Sequence, residues 1–496
     1  MTASLPARSL GRRGLLLAGG AGAAAVLLPG LSRTVGAAEP THRLTPGPAR
    51  LRLVGAEHPE TTVWAYDGRV PGPEIRVRQG DRLRVAVTNR LAEETTVHWH
   101  GIRVPNAMDG VPHLTQPPIA PGETFVYEFT PPDAGTYWYH PHQNSVEQVG
   151  RGLAGPLIVE EREPITVDRD VTWVLGDWRL NRDASISGDF TSMMDASHGG
   201  RIGNTPTING RLPDDFPVRA GERVRLRLIN AANARIFGLR FQGHRPVVIA
   251  YDGQPVEPQE PEDGRVVLGP AMRVDLVLDM TGAPGDRATV VDDFYRNLAY
   301  RLVDLAYGAE RLRDGPPDTP IRLPPNPLPE PDLSGAVRHE VILGGGMMGM
   351  MSGGMVDGRM TDMRGMMRQG MAWTINGAAS GGPSGHGPNG HGPNGHGLGG
   401  HVMDPIVTLE RGRTCVIAMA NETAWHHPMH LHGHSVRVLS RNGRPTRFRE
   451  WQDTVLLAPR ERVEVAFVAD NPGDWMFHCH ILEHQQAGMM SSIRVA

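Results

Sequence analysis

The sequence predicts an all-β protein built from three similar domains. Three observations carry this expectation: one strand-and-turn pattern recurs three times, Gly 61 and Pro 43 among 496 residues favour short strands joined by turns, and no long amphipathic helix pattern competes.

The first copy of the pattern runs Asp67-Gly68, Gly80-Asp81-Arg82, an alternating strand from Leu83 to Val87, and Asn89. The second runs Asn209-Gly210, Gly221-Glu222-Arg223, Val224 to Leu228, and Asn230. The third runs Asn376-Gly377, Gly412-Arg413-Thr414, Cys415 to Met419, and Asn421. Period-two alternation bounded by turn residues marks a strand, and threefold recurrence marks three related units. The expected limits are 39–162, 163–330 with a Pro-rich linker from Pro316 to Pro331, and 331–496.

Residues 1–38 read as an export signal. Arg12 and Arg13 precede a weakly apolar run from Gly14 to about Leu31, and small residues follow at Gly36, Ala37 and Ala38. The paired arginines resemble a twin-arginine leader, so a periplasmic or secreted protein is expected. No other segment is long and apolar enough to span a bilayer, so no membrane association is expected after cleavage. The formal net charge of −4 gives no reason to expect nucleic acid as a partner. The chain contains no lysine, so every basic side chain is arginine.

Two cysteines, Cys415 and Cys479, make a disulfide-built scaffold improbable, whereas histidine numbers 22 and falls in tight clusters. The third copy continues into His427-Pro428-Met429-His430-Leu431-His432-Gly433-His434. The second keeps that frame but holds Phe237, Arg240 and Gln242 at the matching positions, and reads as a spacer. The first has His98-Trp99-His100-Gly101, with Thr95 where the third has His427. A second matched pair follows, Gly135 to His142 and Gly473 to His480, with Pro141 standing where Cys479 stands.

An H-x-H pair on a strand places both imidazoles on one face. A lone histidine on an apolar face is usually a satisfied core residue, but four such clusters mirrored between two domains are not. His98, His100, His140, His142, His430, His432, His478 and His480 offer imidazoles without a carboxylate, which suits copper better than magnesium, calcium or manganese. Cys479, His484 and the upstream His427 supply one thiolate and two imidazoles, and Met489 an axial thioether, which is the blue-copper set. A closed structural zinc site needs neither that methionine nor the further histidines.

The motifs H-W-H-G, H-P-H, H-P-x-H-L-H-G-H and H-C-H-x-x-x-H-x-x-x-x-M resemble, in order and over nearly the whole mature chain, those of three-domain bacterial laccase-like multicopper oxidases and copper-efflux (cuprous) oxidases. The resemblance implies three cupredoxin domains, each a Greek-key β-barrel, in a monomer. It implies four copper ions: one type 1 on His427, Cys479, His484 and Met489, one type 2 on His98 and His430, and two type 3, on His100, His140 and His480 and on His142, His432 and His478. It implies one-electron oxidation of a donor at the blue copper and passage of the electron along Cys479 to the trinuclear site, where dioxygen becomes water. Asp109, eleven residues after His98, matches the family's catalytic carboxylate beside that site. Where some relatives carry a glutamate after the second blue-copper histidine, this chain has Gln485. Asp453 reads either as orienting the blue-copper ligands or as structural.

Ten of the 22 methionines fall between Met347 and Met371: Met347, Met348, Met350, Met351, Met355, Met360, Met363, Met366, Met367 and Met371. The surrounding Gly, Asp and Arg make a poor core, and thioethers select Cu(I), so these are the candidate substrate-copper residues. The segment resembles the Met-rich insert of copper-efflux oxidases, which implies Cu(I) as the donor and a role in copper tolerance. Thr423 and Trp425, however, stand where those oxidases place an Asp and a Met that bind substrate copper. Phenols and other small organic donors are the alternative, and a non-catalytic copper-sequestering protein is a lesser one. A second insert, a Gly-rich repeat around His386, His391 and His396, reads as a flexible loop that either binds metal or only links.

Overall fold

The computed structural model describes residues 39, 41–348, 353–380 and 405–496. The export segment 1–38, Met350, Met351 and the His386–His396 repeat lie outside the described residues. Among the described residues strands dominate, and the four α-helices have five or six residues each.

Each repeat of the sequence pattern becomes the same strand arrangement. The strand that follows the Gly-x-Arg or Gly-Arg-Thr signal pairs in parallel with an earlier one: Leu83–Thr88 with His42–Leu44, Arg223–Asn230 with Arg169–Trp178, and Thr414–Asn421 with Val337–Gly345. The strand that precedes the signal pairs in parallel with the last of its group: Ile75–Arg78 with Gly155–Glu160, Phe216–Ala220 with Tyr300–Arg311, and Pro405–Leu409 with Met490–Val495. The remaining pairings are antiparallel, as Greek-key connections require, apart from the short parallel pair of Gly354–Val356 with Ala378–Ala379 in the methionine segment. Each Asx-Gly turn has both residues in the left-handed region (Asp67 φ 51, Gly68 φ 70; Asn209 φ 51, Gly210 φ 76; Asn376 φ 52, Gly377 φ 76). That is the conformation whose twist matches the strands it joins, and Asp-Gly and Asn-Gly adopt it at least cost.

Apolar alternation builds one core per group. Leu83, Val85 and Val87 meet Trp99, Tyr127 and Tyr139 in the first. Leu226 and Leu228 meet Phe237 and Val274 in the second, and Cys415, Ile417 and Met419 meet Trp475 and Phe477 in the third. The second group departs from half-buried alternation. Every residue of Arg223–Asn230 is buried, because its arginine face lies against the first group. Arg225 donates to Glu161 and Asp275, and Arg227 to Asp170, Asp275 and the Thr136 hydroxyl.

The Pro-rich stretch carries no strand or helix between 313 and 332. It is nonetheless fixed along its length. Asn326 accepts from Ala134 N–H at 2.9 Å and donates to Ala134 C=O at 2.8 Å and to Gln254 Oε1 at 2.8 Å. Glu330 pairs with Arg437, so the segment touches all three groups.

Candidate metal centre

Two antiparallel pairings create the centre. His98–His100 pairs with Gly135–His140 in the register His98↔His140, Trp99↔Tyr139, His100↔Trp138. Period two sends Trp99 into its own core against Tyr127 and Tyr139, and His98 and His100 to the opposite face. In the third group, His427–Leu431 pairs with Gly473–Cys479 in the register Met429↔Cys479, His430↔His478. Alternation then divides one segment between two places. His478 and His480 face the seam with the first group, while Cys479 faces inward toward His427 and His484.

At the seam, every imidazole is buried. The ligand atoms of His100, His140 and His480 lie within 4.8 Å of one another, as do those of His142, His432 and His478, and those of His98, His100 and His430. Oxygen acceptors fix the tautomers from outside. Nδ1–H donates to the Asp109 carbonyl from His98 at 2.7 Å, to Pro141 from His140 at 3.0 Å, to Asp453 from His430 at 2.9 Å and to Cys479 from His478 at 2.9 Å. Each of these rings therefore turns a bare Nε2 inward. His100 is reversed: Nε2 meets Asp453 Oδ1 and Thr454 Oγ1, each at 3.1 Å, and Nδ1 is left. His98 Nε2, His100 Nδ1, His142 Nε2, His430 Nε2 and His480 Nδ1 are buried without a hydrogen-bond partner, and His432 Nε2 faces His478 Nε2 at 3.1 Å. Buried nitrogen lone pairs left unpaired or opposed cost about 1–3 kcal/mol each, and cations held within these groups relieve those that face inward. Burial, then the neighbouring imidazoles, hold His140, His142, His432, His478 and His480 well below the usual histidine range, in the neutral form that binds metal.

Two carboxylates tie the seam. Asp109 accepts from His432 Nδ1 at 2.8 Å and lies 3.3 Å from His98 Nδ1, joining a histidine from each side. Gly110 allows this approach: its φ is +83, and a Cβ there would collide with the Val97 carbonyl. Of the two roles the sequence left open for Asp453, orienting the blue-copper ligands or structural, the first has no contact behind it. The histidines it contacts are His100 and His430 at the seam, because it immediately precedes the strand Thr454–Leu457, whose Thr454 pairs with His430. Arg273 grips it with Nη1 on Oδ1 at 2.8 Å and Nη2 on Oδ2 at 2.5 Å. Burial alone would raise the Asp453 carboxyl, but Arg273 holds it far below the ordinary range. Asp252 accepts from the Arg273, Asp453 and Thr454 backbone N–H groups, and burial, with Asp453 nearby, pushes it up to about 7. Gly101 of the H-W-H-G motif has no Cβ because one would overlap Arg273 and Asp453.

The inward site is a near-regular triangle. Cys479 Sγ lies 3.5 Å from His427 Nδ1 and 3.6 Å from His484 Nδ1, and the two nitrogens are 3.2 Å apart. Its centre is about 2 Å from each atom, the length of a first-row metal bond to imidazole or thiolate. Met489 is buried beside it, with its carbonyl accepting from Cys479 N–H at 3.0 Å. His427 Nε2–H donates to the Thr423 hydroxyl at 2.8 Å, and His484 Nε2–H to the His198 carbonyl at 2.6 Å. Burial takes His484 down to about 3 and pushes the Cys479 thiol up. A bound cation reverses the thiol's preference. Gln485 is buried, and Glu483 beside it accepts from Asn233 at 3.1 Å, with burial raising its carboxyl.

The methionine segment divides. Met363, Met366 and Met371 are buried; Met366 and Met371 pack with Val356 and Ala379. Met348, Met355 and Met360 are exposed, and Met347 and Met367 partly so. Trp425 Nε1–H donates to the Met347 carbonyl at 2.8 Å. Sequence reasoning missed Arg273, Asp252 and His198, all from the group taken as a spacer. Asp252-Gly253 reads as an ordinary turn and Arg273 as a solvent-facing strand residue, so only the buried partners reveal them.

Models of the multicopper oxidase family match residues 52–164, 169–315 and 375–496. The chain is 31% identical to the multicopper oxidase MmcO of Mycobacterium tuberculosis over 95% of its own length and 89% of that protein. It is 27% identical to a copper resistance protein A homolog of Pseudomonas syringae pv. tomato, over 91% and 92%. The crystal structure of a multi-copper oxidase from Pseudomonas thermotolerans superimposes with a TM-score of 0.77 at 35% identity, covering 92% of this chain and all of that one.

Proposed function

The chain belongs to the multicopper oxidase family, and on that premise we propose that it couples one-electron oxidation of Cu(I) to four-electron reduction of dioxygen to water. The observation that carries this reading is the split made by one strand, with Cys479 turned to the inward triangle and its neighbours His478 and His480 turned to the seam.

In this reading His427, Cys479, His484 and Met489 hold a type 1 copper. His98 and His430 hold the type 2 copper, His100, His140 and His480 one type 3 copper, and His142, His432 and His478 the other. Copper bound there supplies one-electron redox chemistry at the thiolate and dioxygen reduction at the imidazole cluster. The chain's own residues do the rest. Cys479 links the two sites through two adjacent peptide units, a short covalent route. Burial of all eight seam imidazoles excludes bulk water. Asp109 keeps the proton of His432 at Nδ1, so that Nε2 stays available, and Asp453 does the same for His100 at Nε2.

Cu(I) as donor is supported by the exposed thioethers of Met348, Met355 and Met360 on the segment that Trp425 anchors. Thr423 favours the organic alternative, since it stands where copper-efflux oxidases place an acid that binds substrate copper, and its hydroxyl accepts from His427 instead. A role in copper tolerance and export through the 1–38 leader complete the proposal. Among the described residues no helix is long and apolar enough to cross a membrane.

The test is oxygen uptake by the copper-loaded protein, with Cu(I) and with a phenol. One dioxygen consumed per four Cu(I) supports the reading, and no uptake with any donor defeats the oxidase assignment. Changing Met348, Met355 and Met360 together to Ser should lower the ratio of Cu(I) to phenol rates. An unchanged ratio shifts the assignment to organic donors. Deleting the whole segment is a poorer test, because Met363 and Met366 are part of the packing.

A further inference from the structure

We propose that Met194, His198 and Met348 form the site at which donor Cu(I) binds, one main-chain unit from His484. This rests on the Cu(I) reading above and assigns its place.

The His484 edge of the thiolate site is not open to solvent. Its Nε2–H is taken by the His198 carbonyl at 2.6 Å, so an electron reaching His484 by this side arrives through residue 198. His198 follows the short helix Met193–Ser197, and its ring is set as a ligand. Nδ1–H donates to the Met194 carbonyl at 2.8 Å, with the Ser197 hydroxyl 3.1 Å away, which leaves the Nε2 lone pair free to coordinate. A carbonyl on the other nitrogen is the arrangement that orients metal-binding histidines. The ring is partly exposed and meets Trp425 edge-on at 5.5 Å.

The same contacts bring in a second methionine segment. Trp425 Nε1–H donates to the Met347 carbonyl, and Met347 N–H donates to the Ser197 carbonyl, both at 2.8 Å. Met348 therefore follows directly on a residue hydrogen-bonded to the end of the helix that carries Met194. Met194 is 68% exposed and Met348 75%, so both thioethers are open to an ion arriving from solvent. The nearby acid, Asp195, is spent on Arg179, with contacts of 2.6 and 3.0 Å. The ligands that remain are thioethers and an imidazole, which prefer Cu(I) and release the harder Cu(II). Each Cu(I) loses one electron, through the His198 side chain, its carbonyl and the hydrogen bond to His484, and leaves as Cu(II). Four such oxidations with four protons reduce one dioxygen to two waters.

Ag(I), a soft ion that is not oxidised, is the probe. The copper-loaded protein is titrated with Ag(I), and Cu(I) oxidation is compared with oxidation of hexacyanoferrate(II), which donates without binding to thioethers. His198→Ala, Met194→Ser and Met348→Ser should each weaken one Ag(I) equivalent about tenfold or more and raise the KM for Cu(I) against that for hexacyanoferrate(II) by a similar factor. Retained blue absorption verifies folding of His198→Ala, and the two exposed methionines can be changed without a packing cost. Ag(I) binding and Cu(I) KM that survive all three substitutions overturn the site. Loss of the Ag(I) equivalent in a protein whose wild type does not oxidise Cu(I) supports the site and defeats the donor reading instead.

Discussion

The strand-to-helix segment after His140 and its counterpart after His478 share one frame and differ at one set of positions. Pro141, Val146 and Arg151 occupy the places of Cys479, His484 and Met489, and Thr95 that of His427. The first segment fills its interior without a metal. Thr95 donates to Gln148 Oε1 at 2.7 Å, Val146 packs with Val149, Phe190 and Leu482, and Arg151 lies over Trp64. The seam-facing histidines are present in both. A strand's two faces are thus separately specified. The seam face must match another domain's metal ligands, whereas the inward face needs only partners of matching shape or hydrogen-bonding capacity, from its own group or a neighbour.

The strongest test of that separation is Cys479→Ser. Blue absorption and oxidase activity should disappear and copper content fall by one per chain, while the seam keeps its metal. Loss of all copper on metal analysis would show that the two faces are not independent. Next comes Arg273→Met, which asks whether the seam also needs the ligand-free second domain. Leaving Asp453 buried and unpaired should cost about 3–5 kcal/mol in denaturant unfolding. A change under 1 kcal/mol would reduce Arg273 to a spectator.

A third test concerns His434, whose place in the first domain is taken by Ile102. Burial, against the pull of Asp470, holds His434 down to about 4. The unfolded chain takes up this proton near pH 6.5, whereas the folded chain refuses it until about pH 4. Stability from this residue is therefore complete above pH 6.5 and is lost as pH falls through that window, by up to about 3 kcal/mol. His434→Ile should flatten that part of the stability–pH curve, and parallel curves for the two proteins would refute the assignment. The smallest effect is expected in the metal-free interior. Thr95→Val leaves Gln148 Oε1 short of its donor, costing about 1–3 kcal/mol in thermal unfolding with blue absorption unaltered.

What the sequence disclosed follows from the same physics. Imidazoles and a thiolate at fixed spacing on strands are recognisable because alternation fixes which of them share a face, and the Asx-Gly turns located the three repeats. Asp252, Arg273 and Arg225 were not legible. Charged residues alternating with Leu and Val describe a solvated strand face equally well, and only the third dimension shows Asp453 or Glu161 waiting opposite. For Asp453 the sequence left two roles open, orienting the blue-copper ligands or structural, because linear position does not show which histidines it meets; they are His100 and His430. The methionine segment was read as one thing and is two, because Met363, Met366 and Met371 serve packing while Met348, Met355 and Met360 face solvent.

The closeness of His140 and His480 (Nε2 to Nε2 3.4 Å across 340 positions of sequence) has a consequence for how the protein matures. Joining points so distant along a chain costs about 5 kcal/mol of closure entropy, and His478 and His480 are among the last residues to be made. A ribosome that has made everything up to residue 470 has made neither of the two clusters that draw on His478 and His480. Metal capture by these two is therefore a late event in the life of each molecule. A chain interrupted before His478 lacks both clusters that depend on His478 and His480, and keeps the His98, His100 and His430 group.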